Sequence, residues 1–182
     1  MMKRFTSMVS ALLLLLTLTG TMNGAALEGT VLTVAERGFS ADIPSDFQVF
    51  AAEADANTTG IFSYDLMINS TDPEAGRVFL SIFSVYDDVM RRMKTASLSD
   101  LFLSAEISEV ESHGDVVVGN WSAVNPQSQN VTVLALTTPD LRVSGGSYDI
   151  ASWSLDEDVQ VLMVSTADRN ITEKLIGTLK IK

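Results

Sequence analysis

The sequence contains no cysteine, so it can form no disulfide, no Cys-His catalytic pair, no cysteine-ligated zinc site and no cysteine-acylated lipoprotein. Its single histidine, His113, rules out a multi-histidine metal centre. A Ser-His-Asp triad would have to use that one imidazole, and no GxSxG turn is present to offer a serine. Positive charge is also scarce: 12 Lys and Arg stand against 23 Asp and Glu, for a formal net charge of -11. Phosphate backbones and anionic lipid surfaces repel so acidic a chain, which argues against nucleic acid as a partner.

What is present begins with an export signal. Lys3 and Arg4 precede an apolar run from Met8 to Gly20 that holds five consecutive leucines, and small residues follow in NGAAL. The pattern predicts a secretory signal peptide over residues 1–26, cleaved after Ala26, with an uncleaved N-terminal anchor as the alternative. The apolar core falls short of the roughly 20 residues a membrane-spanning helix needs, so no span is expected in the mature form. Cleavage would leave residues 27–182 as a single domain, with 10 basic against 23 acidic residues and a formal charge of -13. The expected location is secreted or cell-surface. Stability there must come from burial, since no disulfide can supply it.

The asparagines point the same way. Five of the seven open an Asn-x-Ser/Thr sequon, at Asn57, Asn69, Asn120, Asn130 and Asn170. The reading is an exported glycoprotein; the competing one is a Ser/Thr-rich surface that forms sequons by chance.

Strand patterns dominate the rest. In GFSADIPSDF, Phe39, Ala41 and Ile43 alternate with polar residues until Pro44 ends the run and Ser45-Asp46 opens a turn. IFSYDLMI, RVFLSIFSVY, VVVGNWSAV, NVTVLAL, SYDIASWSL and VQVLMVS follow as strands. Some are apolar on both sides: Val78, Leu80 and Ile82 oppose Phe79, Phe83 and Val85, while Val159, Val161 and Met163 oppose Leu162 and Val164. Such strands need cover on both faces. One predicted helix runs from a Ser97 cap to Gly114, with Leu98, Leu101, Phe102, Ala105 and Val110 on its dry side. A second starts at Asn170, three residues before Glu173, and continues through Leu179 into the C-terminus. The expected fold class is α+β: a mainly antiparallel β-sheet of about five to seven strands with helices packed on its faces.

The opening GFSADIPSDF, the middle helix, the hairpin around NWSAVNPQSQNVTVLAL and the terminal LIGTLKIK together resemble the PsbP/Mog1-like family over nearly the whole mature chain. Phe47 stands where that family often has Trp. The resemblance implies an α/β/α sandwich and a mostly non-catalytic module that assists or stabilises larger complexes. It implies no catalytic, cofactor or metal residue.

Few residues carry chemistry on their own. His113 is expected at a helix end, where an imidazolium meets the negative end of the dipole. Asp87 with Asp88, and Asp156, Glu157 and Asp158, are candidate paired carboxylates for a hard cation or glycoside hydrolysis, against the reading of solvated turns. Glu106, Glu109 and Glu111 are expected on the wet side of the first helix. MRRMK, residues 90–94, reads as a local balancing patch, and GGS, residues 145–147, as a flexible turn. Trp121 and Trp153 are expected in the core rather than around a ligand. The functional expectation is an exported, glycosylated, non-catalytic interaction or accessory module with a protein or envelope partner and no cofactor. A small-ligand or calcium-binding domain is the first alternative, and a carboxylate-dependent hydrolase the second.

Overall fold

The computed structural model describes residues 31–34, 37–56, 62–85, 92–139 and 146–181. The expected signal segment and Ala26 lie outside them. Among the described residues no helix is long and apolar enough to cross a membrane.

Seven antiparallel strands form the main sheet. The chain enters it through the expected Pro44-Ser45-Asp46 turn, where Phe47 N donates to Pro44 O at 2.9 Å and Thr71 N to Asp46 O at 2.7 Å. β3 (Phe47–Ala56), β4 (Phe62–Ser70) and β5 (Arg77–Ser84) then run as a meander. Helix α1 (Thr95–Ser112) carries the chain to the far edge of the sheet. From there β6 (Val116–Val124), β7 (Asn130–Thr137), β8 (Ser147–Ser154) and β9 (Val159–Ser165) step back to the middle. The spatial order is β3-β4-β5-β9-β8-β7-β6. Helix α2 (Arg169–Thr178) follows β9. A separate three-stranded sheet joins β1 (Val31–Val34), β2 (Arg37–Ser40) and β10 (Lys180–Ile181) in the order β1-β2-β10. The architecture is α+β with a mostly antiparallel sheet.

Strand order explains the two-sided grease. β9 is the central strand, and all seven of its residues are buried. Val159, Val161 and Met163 join Val78, Leu80 and Ile82 on one face, in a cluster that includes Leu175 and Ile176 of α2. Leu162 and Val164 join Phe79 on the other, in a cluster that includes Leu103 and Val110 of α1. Each fully buried Val, Leu or Ile contributes roughly 1.5–3 kcal/mol, which is the kind of support a chain without disulfides requires.

Three local expectations are corrected. β3 was absent from the expected strands because AAEADA is poor in β-branched residues, yet pairing along β4 from Phe47↔Ser70 to Ala56↔Phe62 holds it extended. α1 starts at Thr95, and its cap is Lys94, three residues before Ser97, with Leu98 N donating to Lys94 O. α2 is capped by Asp168 rather than Asn170, and it stops at Thr178 instead of running on to the C-terminus. That stop is tertiary: Asp42 N donates to Thr178 Oγ1 at 2.9 Å, and Lys180 and Ile181 pair with Ser40 and Phe39.

Candidate functional site at the edge of the sheet

Between Asp115 and Asp140 lie 24 residues, 116 to 139, without one Asp, Glu, Lys, Arg or His. In a chain this acidic that is an unusual gap, and it coincides with the β6–β7 hairpin. Asn125 builds the turn from within. Its Oδ1 accepts from Gln127 N at 3.1 Å and Gln129 N at 2.9 Å, while its Nδ2 donates to Gln129 Oε1. Ser128 takes the left-handed backbone conformation, φ 60°, that this tight return demands. Gln127 Nε2 donates to Leu155 O at 3.1 Å and ties the tip to the β8–β9 turn.

Among the described residues β6 pairs with β7 alone, so it is an edge strand. Val116, Val118 and Val124 are exposed on it, Val118 by 59 %. The register shifts between Val117 and Gly119, placing Val118 in a bulge. Edge strands are ordinarily guarded by charge, proline or a bulge. β6 has only the bulge. Its inner side is fixed by Trp121 and Ala123, which face the cluster that includes α2. The Arg169 guanidinium sits 4.5 Å over the Trp121 ring, and Trp121 also donates to the Asp149 carboxylate. Burial raises the Asp149 pKa, opposed by Trp121 and by the Arg169 charge. Trp121 is therefore half-buried and bound on two sides, whereas Trp153 is in the core as expected.

A polar seam lies under α1. Its dry stripe is Leu98, Ser99, Phe102, Leu103, Glu106 and Val110, one step round the helix from the expected side. Leu101 and Ala105 are exposed in consequence, and Glu106, expected on the wet side, is only 5 % exposed. Burial, reinforced by the Glu109 charge, pushes its pKa up to about 7. Glu109 is half-buried and Glu111 exposed. Nearby, Tyr148 on β8 donates its hydroxyl hydrogen to Asp115 Oδ2. Burial, that bond, and the charges of Asp115 and Glu106 all raise the Tyr148 pKa. Further along, Ser99 donates to Gln160 Oε1 at 3.2 Å and lies 3.3 Å from Ser154 Oγ, and Gln160 Nε2 donates to Ser154. This seam docks the helix. Among the described residues no three His, Asp or Glu side chains group to hold a metal ion. Glu106, Asp115 and Tyr148 were missed in the sequence; the i, i+3, i+4 frame through Ser99, Phe102, Leu103 and Val110 was the signal that would have found Glu106.

The other expected sites scatter. Asn57, Asp87, Asp88, Met90 and Arg91 lie outside the described residues. Asn120, Asn130 and Asn170 are exposed; Asn69 is half-buried, with Oδ1 buried and unpartnered among the described residues. Asn120 and Asn130 lie on the same face of the hairpin, from the pairs Asn120↔Leu134 and Val124↔Asn130. Asp156, Glu157 and Asp158 form the β8–β9 turn, where Asp156 Oδ1 accepts from Asp158 N at 2.8 Å. Of the expected Gly145–Ser147 turn, Gly145 lies outside the described residues, Gly146 (φ 62°) accepts from Thr138 N and Ser147 already belongs to β8; Arg92, Met93 and Lys94 are exposed. His113 caps α1 as expected, its Nδ1–H donating to Glu109 O at 3.0 Å.

No family model matches this chain, and no curated protein or solved structure matches it either.

Proposed function

We infer that this chain is an exported, glycosylated, non-catalytic interaction or accessory module of the cell envelope, built as a PsbP/Mog1-like α/β/α sandwich and acting through its β6–β7 edge. One observation carries the reading: an edge strand with exposed Val116, Val118 and Val124 sits in a 24-residue stretch without charge. Exposed apolar surface on an otherwise acidic protein marks a contact surface, and an open strand edge offers main-chain pairing as well. The described acids support a binding role over hydrolysis. Asp156 and Asp158 bond within one turn, and Asp115 is taken up by Tyr148. The helices supply cover to opposite sheet faces through Leu103 and Val110 on one side and Leu175 and Ile176 on the other.

The test is retention on the native envelope fraction, read by intact mass. Wild-type protein is expected to be retained with its leader removed and glycan mass added, and Val118→Lys to be lost from the fraction. Equal retention of the two proteins would remove the edge from the account. An intact leader and bare mass would remove export and glycosylation.

A further inference from the structure

We propose that β6 is the seam at which two copies of this chain join, edge to edge and antiparallel about a local two-fold axis. The proposal rests on the reading of the β6–β7 edge as the contact surface, and names the occupant. The argument is electrostatic first. A molecule with formal charge -11 repels its own copies wherever acids meet. Residues 116–139 are free of that repulsion, because neither β6, β7 nor the turn between them carries a charge. An isologous interface brings the same patch of each copy together, so a neutral strand meets a neutral strand.

Geometry agrees with charge. β6 is nine residues long, about 30 Å of edge, and among the described residues its outward-pointing backbone groups have no ladder partner. Its exposed valines have high strand propensity and suit cross-strand contact. Trp121, held by Arg169 and Asp149, ties the middle of the strand, beyond the Val118 bulge, to its own sheet. Asn120 projects from a sheet face rather than along the pairing direction, so it leaves the backbone edge open.

The experiment is sedimentation of the purified full chain, expressed without glycosylation, across a wide concentration range. Wild type is expected to associate reversibly to a dimer. Val118→Lys places two like charges at the seam and is expected to weaken the dimer by at least about tenfold, whereas Val118→Thr keeps it. Far-UV circular dichroism and thermal unfolding of both variants establish that the exposed substitution leaves the monomer folded. A wild-type monomer at every concentration overturns the proposal, as does a dimer indifferent to Val118→Lys. A protein that stays monomeric yet is retained on the envelope through Val118 overturns self-pairing alone. One that dimerises but is never retained there overturns the envelope reading alone.

Discussion

The hydroxyl of Tyr148 donates to Asp115 Oδ2, joining β8 to the turn that ends α1. Glu106 lies on the same helix–sheet interface with Oε1 buried and no hydrogen-bond partner among the described residues. The two acids are treated differently by the fold. Asp115 accepts a hydrogen bond from Tyr148, while Glu106 has burial and the neighbouring Glu109 carboxylate against its charge. α1 is thus held to the sheet at its end by a bond and strained at its middle by a carboxyl group.

That strain has a pH signature. The Glu106 carboxyl, ordinarily near 4.5, is raised to about 7 in the fold. Below about pH 4.5 both states hold the proton and the group costs nothing; stability is lost as the pH rises from there to about 7, and is flat above. The full loss is roughly 3 kcal/mol. Glu106→Gln is expected to abolish this part of the pH dependence and to be about 1–3 kcal/mol more stable than wild type at about pH 8. Urea unfolding of both proteins across the range is the measurement; parallel midpoint curves would show that Glu106 is solvated.

Gly76 is the tightest backbone approach described. Its φ is +80°, and a Cβ there would stand 2.7 Å from Thr166 C and 2.8 Å from Ala167 Cα, both main chain. The approach is locked, since Thr166 N donates to Arg77 O at 2.9 Å and Arg77 N to Thr166 Oγ1 at 3.1 Å. Gly76→Ala is expected to cost about 3 kcal/mol or more, because neither strand can retreat. Gly114→Ala shares the positive φ, +95°, but meets only the Pro139 side chain at 3.7 Å, so about 1 kcal/mol is expected. Denaturant midpoints of the pair separate steric clash from backbone conformation. Equal losses would mean that the β4–β5 turn yields.

Much of the fold was legible because burial writes a period into the sequence. Val78 to Phe83 and Val159 to Val164 announced strands covered on both faces, and the sheet places them side by side in its middle. β3 was illegible because the partner strand, not its own composition, keeps it extended. The end of α2 was illegible for a similar reason: Leu179 leaves the helix to follow a pairing with β2, which lies some 140 residues earlier in the chain. The uncharged hairpin was readable as strands, but nothing in VVVGNWSAV says that it borders solvent. Edge position is a property of sheet order. Glu106 illustrates the converse, a charged letter that suggested the wet face until its helical frame placed it in the dry one.

Arg169 links α2 to the candidate edge through Trp121. Arg169→Ala is expected to cost about 0.5–1 kcal/mol and to change Trp121 emission, with the core residue Trp153 as a constant background. Loss of the guanidinium also removes one of the two influences that lower the Asp149 pKa, so that carboxyl should titrate higher than in wild type. If the self-association of β6 depends on a rigid edge, the same variant weakens the dimer without touching the seam. Unchanged emission would mean that the ring and the guanidinium are not stacked in solution.

Glycan placement distinguishes the four sequons among the described residues by exposure. A transferase working on a folded chain needs the asparagine amide in water, and Asn120, Asn130 and Asn170 offer it. Asn69 offers it less: it is half-buried, with Oδ1 buried, and it lies in the interior of the sheet between Gln48 of β3 and Arg77 of β5. If the chain is exported and glycosylated as proposed, peptide mapping of protein recovered from its native cell is expected to find sugar at the three exposed sites and little at Asn69. Sugar at Asn120 and Asn130 would stand on one face of the hairpin and thicken that side of the seam while leaving the backbone edge clear. Occupied Asn69 with bare Asn120 and Asn130 would mean that modification precedes folding, and that exposure in the native state does not select the sites.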